Sequence, residues 1–137
     1  MYQLIQKFLF FFKAQTAHGL HSPLVFELYT KVINPNLWPF QKDQLIENLE
    51  KFILSKFELK EFKLLQINTL NELSILIPRK NLVIYISEPY QNIQYKNAID
   101  TFASNPHFNF VIHFFKGSIL ISSEIAPKQI FYLKHMQ

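Results

Sequence analysis

Two histidines, His18 and His21, stand three residues apart in the segment His18-Gly19-Leu20-His21-Ser22-Pro23-Leu24-Val25-Phe26. Two imidazoles at that spacing can share one metal ion. A site needs more ligands than two, and the segment offers no carboxylate or cysteine, so no metal is expected. The expectation is structural, with the imidazoles capping backbone groups or packing on Phe26; a contact to a partner or ligand is the other reading. A second point is Ser87-Glu88, at the end of an apolar run. The carboxyl end of a strand is where α/β proteins bind ligands, although a carboxylate at a helix start has an equally good structural explanation. His113, alternating onto the face of Asn109 and Val111, is expected to be a partly exposed strand residue. No Ser/His/Asp triad, phosphate-binding glycine loop or carboxylate pair stands out. No catalytic residue is assigned.

The elements that must hold these residues follow from periodicity. Leu4, Ile5, Phe8, Leu9 and Phe12 recur at helical spacing within 2–15 and are read as one face of a core or partner-docking helix. Gly19 tolerates a turn at positive φ. Ser22-Pro23 then starts a second helix, with an oxygen to cap free N–H groups and a proline lacking a donor that this position does not need. That helix places Val25, Leu28, Tyr29 and Val32 on one face and stops before Asn34-Pro35-Asn36. A third helix over about 41–58 buries Leu45, Leu49, Phe52, Ile53 and Phe57, with Glu47 and Lys51 at ion-pair spacing.

Beyond residue 62 the pattern becomes mixed. Lys63 to Ile67 reads as a strand, Asn71 to Ile77 as a short helix, and Leu82 to Ile86 as a strand covered on both faces. Tyr95, Ala98, Ile99 and Phe102 define the next helix. Phe108 to Phe115 and Ser118 to Ser122 form a hairpin turning at Lys116-Gly117, and Gln129 to Leu133 adds an edge strand. Helices followed by strand, helix, strand and strand predict an α/β chain. The expected organisation is a single domain over 1–137, with a helical part at 1–58 and an α/β core at 62–137.

Composition narrows the function classes. In 137 residues, 49% are hydrophobic and 16% aromatic, which excludes a disordered chain. The absence of cysteine removes disulfides and thiolate chemistry and fits the reducing cytoplasm. The net charge is +4, yet Arg79 is the only arginine and the lysines are scattered. Nucleic-acid binding normally requires a basic stripe, so an RNA-associated module ranks third among the readings. Phe8 to Phe12 lie between Lys7 and Lys13. That run is too short to span a membrane, although residues 1–13 could lie along one as an interfacial helix.

The opening motif, His18-Gly19-Leu20-His21-Ser22-Pro23-Leu24-Val25-Phe26, resembles the N-terminal signature of a bacterial family of class I S-adenosylmethionine-dependent methyltransferases. The second half is similar too. Leu82 to Ile86 resembles a family strand that closes in two aspartates, with Ser87-Glu88 in their place. Pro89-Tyr90-Gln91-Asn92 stands where the family has Ile-Tyr-Trp-Ser, Ala98-Ile99 where it has Ala-Trp, Asn105-Pro106 at the helix end and Gly117 in the hairpin. The resemblance implies a reduced Rossmann-like sheet ending in an antiparallel hairpin, and S-adenosylmethionine as the ancestral cofactor. Such an enzyme grips its cofactor with glycines after the first strand and an acid after the next. Here the corresponding run is Gln66-Ile67-Asn68-Thr69-Leu70-Asn71, without glycine. In one register Asn68 and Glu88 would be remnants of that site; in the other, Glu88 descends from the aspartate pair. The expectation is a methyltransferase-like chain that has lost cofactor binding and catalysis and serves as a protein-interaction or structural module, with a protein partner or second copy. The alternative is a small active methyltransferase with a non-standard or shared site.

Overall fold

The computed structural model describes residues 2–14, 22–56, 62–122 and 128–134. Helix α1 spans Tyr2–Lys13, α2 Pro23–Leu28 and α3 Lys42–Lys56. Strand β1 is Lys63–Ile67, α4 Leu70–Ser74, β2 Leu82–Ser87 and α5 Ile93–Ala103. The hairpin is β3, Phe110–Phe114, and β4, Gly117–Ile121; β5 is Gln129–Leu133. The chain is thus α/β, with N-terminal helices and a five-stranded mixed sheet ordered β1-β2-β4-β3-β5.

Ser22 starts α2 as the sequence predicts. Its backbone is extended, its Oγ accepts from the Val25 N–H at 3.4 Å, and Pro23 is the first helical residue. The expected stop before Asn34 does not occur there. A π-helical turn, Tyr29–Ile33, and a 3-10 turn, Asn34–Asn36, carry the coil through the Asn-Pro-Asn cluster. The Asn36 side-chain amide donates to the Val32 carbonyl at 2.7 Å, which satisfies a buried helix-end acceptor. The Tyr29 hydroxyl donates to the Lys134 carbonyl, fastening this turn to the end of β5.

The sheet has helices on both faces. Alternation along β2 sends Val83 and Tyr85 to one side and Leu82, Ile84 and Ile86 to the other. The first side packs on Val25, Leu28, Tyr29, Leu45, Leu49 and Ile53 from α2, α3 and the turn between them. The second packs on Leu73 from α4 and on Tyr95, Ile99 and Ala103 from α5. All six residues of β2 are buried, as its unbroken apolar sequence requires of a strand covered on both faces.

Gly117 was expected to serve the hairpin turn, but its φ is not positive. Its lack of a side chain is needed for a different contact. A Cβ there would lie 2.6 Å from the Tyr85 hydroxyl oxygen and 2.8 Å from two ring carbons. The Tyr85 ring covers the glycine from the neighbouring strand, an arrangement that restores apolar packing where the strand has no side chain.

Candidate functional site

Strands β1 and β2 are parallel, β3 and β5 are parallel, and β4 runs antiparallel to both β2 and β3. Four strands therefore end at the same edge of the sheet, where open α/β sheets place their ligands. The registers set Ile67, Ile86, Ser118, His113 and Tyr132 side by side across this edge. His113 Nδ1 lies 2.7 Å from Ser118 Oγ, within the reach a base needs to activate a hydroxyl. The pair is closed off. Ser118 is 0% and His113 3% exposed, and the Tyr132 ring stacks on the imidazole with centroids 5.1 Å apart. This corrects the expectation that His113 is partly exposed. Single-strand alternation misses the cover that β5 supplies from outside β3. Hairpin register was the available signal, because the two-residue turn Phe115-Lys116 sets 113 opposite 118.

Beside this row lies an aromatic socket. Tyr90 follows β2, Phe115 follows β3 and Tyr132 lies in β5; Tyr90 and Phe115 stack with centroids 5.0 Å apart and planes 8° apart. Phe10 of α1 fills the socket, meeting Tyr90, Phe115 and Tyr132 edge-on at 5.9, 6.2 and 6.2 Å. Lys96 places its ammonium 5.3 Å from the Tyr90 ring centre. Burial, and then the nearby Tyr132, Asp100 and Tyr2, raise the pKa of the Tyr90 phenol above its ordinary value. Phe10 thus covers the part of this edge formed by Tyr90, Phe115 and Tyr132.

Leu4, Ile5, Phe8, Leu9 and Phe12 were expected to form a core or partner-docking face; all five face solvent, so they are not part of the core. Tyr2, Gln6, Phe10 and Ala14 face inward instead. Phe10 and Phe115 pack on each other, Phe40 is half-buried against the helical core and Phe11 is exposed.

The other candidates are dispersed. His18, Gly19 and His21 lie outside the described residues. Phe26 is partly exposed on α2. Asn68 and Ser87-Glu88 come to the ends of neighbouring strands β1 and β2. There, however, Thr69 and Glu72 form a variant of the capping box in which the carboxylate reaches one residue further back than the N-cap. Thr69 Oγ1 accepts from the Glu72 N–H at 3.2 Å, while the Glu72 carboxylate accepts from the Asn68 N–H at 3.2 Å. Asn68 Oδ1 is held by the Lys42 ammonium at 2.8 Å. The pattern Thr69-Leu70-Asn71-Glu72 was legible as a capping box, and a search for missing glycines overlooks it.

Glu88 is not a helix-start residue. Asn92 caps α5, accepting from the Tyr95 N–H at 2.8 Å, and Glu88 sits in the preceding turn at φ 48°. Its half-exposed carboxylate lies 3.9 Å from the Lys116 ammonium, a contact of little energetic weight at the surface. The Ser87 and Tyr85 hydroxyls are buried without a well-formed hydrogen bond. Burial and then Glu88 raise the Tyr85 pKa, while the nearby Ser87 hydroxyl opposes the rise slightly. Among the described residues, no three His, Cys, Asp or Glu side chains converge on a metal position. Comparison of the chain with family models, curated proteins and solved structures finds no match.

Proposed function

We propose that this chain is a methyltransferase-like protein with a reduced Rossmann-like sheet, without S-adenosylmethionine binding or catalysis, acting in the cytoplasm as an interaction module. The observation that carries the reading is Phe10, seated in the socket of Tyr90, Phe115 and Tyr132 at the ligand-binding edge of the sheet. The Thr69–Glu72 pair adds support, because the Glu72 carboxylate takes the Asn68 N–H and Thr69 Oγ1 takes the Glu72 N–H where a cofactor loop would end. For docking a protein partner or second copy, β1 and β5 each pair on one side only among the described residues, and an unpaired edge favours association.

The test is calorimetric titration of the full chain with S-adenosylmethionine and S-adenosylhomocysteine, and of the Phe10→Ala variant, in which the socket is emptied. Neither protein should show measurable heat. Micromolar binding by the wild-type chain at unit stoichiometry would overturn the reading, make the active methyltransferase the better account and promote Glu88 to a ribose ligand.

A further inference from the structure

Helix α1 is mounted with its apolar side outward. The body is met by Tyr2, Gln6, Phe10 and Ala14, one residue in every four. Leu4, Ile5, Phe8, Leu9, Phe11 and Phe12 are 49 to 72% exposed. At 3.6 residues per turn these six side chains fill one continuous arc of roughly 160°. The three phenylalanines alone leave on the order of 400 Å² of ring and methylene surface in water, a size that marks a contact surface. Among the described residues no helix is long and apolar enough to cross a membrane.

Charge selects the occupant. The sequence of α1 contains Lys7 and Lys13 and no acid. The Lys134 ammonium stands at the rim of the apolar arc, 4.3 Å from the Phe11 ring centre and 3.3 Å from the Phe11 carbonyl oxygen. A second copy meeting the same face would bring cations against cations with no acid on either helix. A surface that is apolar beneath and negative on top matches both features, with rings and aliphatic side chains below the headgroups and ammonium groups level with the phosphates. We propose that α1 binds flat on an anionic phospholipid bilayer through Leu4, Phe8, Leu9 and Phe12, with Lys7 and Lys134 against the headgroups. This surface is separate from the strand edge at which a cofactor would bind, so the two readings stand or fall independently.

The experiment is flotation of the full chain with phosphatidylcholine vesicles, with and without about 30% phosphatidylserine. Binding should require the anionic lipid and weaken as salt is raised. The double variant Phe8→Gln/Phe12→Gln should lose at least about tenfold in partitioning. Its circular dichroism and melting temperature should not change, because both rings are exposed and contact each other at 4.9 Å. Lys7→Gln should weaken binding about fivefold. Absence of binding to anionic vesicles, equal binding to phosphatidylcholine alone, or undiminished binding by Phe8→Gln/Phe12→Gln would each overturn the proposal. So would a wild-type dimer that ignores vesicles and dissociates in that double variant, since a second copy would then be the occupant. Cofactor binding with lipid binding intact would overturn only the functional reading above.

Discussion

Replacing Gly117 with alanine tests how tightly the sheet is built around one missing side chain. The added Cβ would meet the Tyr85 ring at 2.6 to 2.8 Å, whereas carbon atoms rest at about 3.5 to 4.0 Å. The ring must therefore withdraw by roughly 1 Å. Tyr85 is fully buried, with the Phe114 ring 6.1 Å away, so the displacement propagates into a packed core. Overpacking of this kind costs about 1–3 kcal/mol. Relief from glycine's unfolded-state entropy returns about 0.5–1 kcal/mol, leaving a net destabilisation of about 1 kcal/mol within a span of roughly 0–2.5 kcal/mol. Urea unfolding measures it as a lower midpoint at unchanged slope. Tyr85→Phe should not rescue Gly117→Ala, because two ring carbons are nearly as close as the oxygen. Alone, Tyr85→Phe should be neutral or stabilising, since it removes a buried hydroxyl that lacks a well-formed hydrogen bond. Tyr85→Leu removes the clashing ring atoms, and the double variant with Gly117→Ala should be more stable than the sum of the single effects by about 1–2 kcal/mol. If Gly117→Ala is as stable as wild type, or the two substitutions add, the close approach does not constrain the fold.

High pH and the α2 cap supply two further expectations. Burial raises the phenol pKa of Tyr85, Tyr90 and Tyr95, the last to about 12 from a reference value of 10.0. A raised folded pKa means their contribution to stability is complete below about pH 10 and is lost as pH climbs toward the folded values. Tyrosinate absorbance and unfolding should then rise together above that pH, and reversible titration of all six tyrosines near 10 in a folded chain would refute the assignment. Ser22→Ala should cost about 0.5–1 kcal/mol, the lower part of the range for an N-cap, because its hydrogen bond to Val25 is long at 3.4 Å; urea unfolding with no loss of stability would remove Ser22 as the cap.

Much of the sheet could be read from the sequence because its strongest signals are local. The unbroken apolar run at β2 and the alternation into Lys116-Gly117 each lie within one short window. The side of α1 that faces inward was not legible. Periodicity finds an apolar arc but not what it faces, and Phe10 is drawn inward by Tyr90, Phe115 and Tyr132, which lie 80 or more residues away in sequence and are assembled only by the sheet. His113 was misjudged for a related reason, since its burial depends on β5 as well as on its own strand. At the candidate site the absent glycines say nothing of Thr69 and Glu72, whose spacing carries a local meaning of its own.

The strand order has a consequence for how the molecule comes apart. Among the described residues β4 is the sole lateral link between the pair β1-β2 and the pair β3-β5, and its five residues carry a full ladder on each side. Strands β1 and β5 can fray outward while the rest persists, so their amides exchange with solvent through small openings. The amides of Ile119, Leu120 and Ile121 have no such route. Releasing them separates the two halves of the sheet and opens both cores at once, so their exchange reports the stability of the whole molecule.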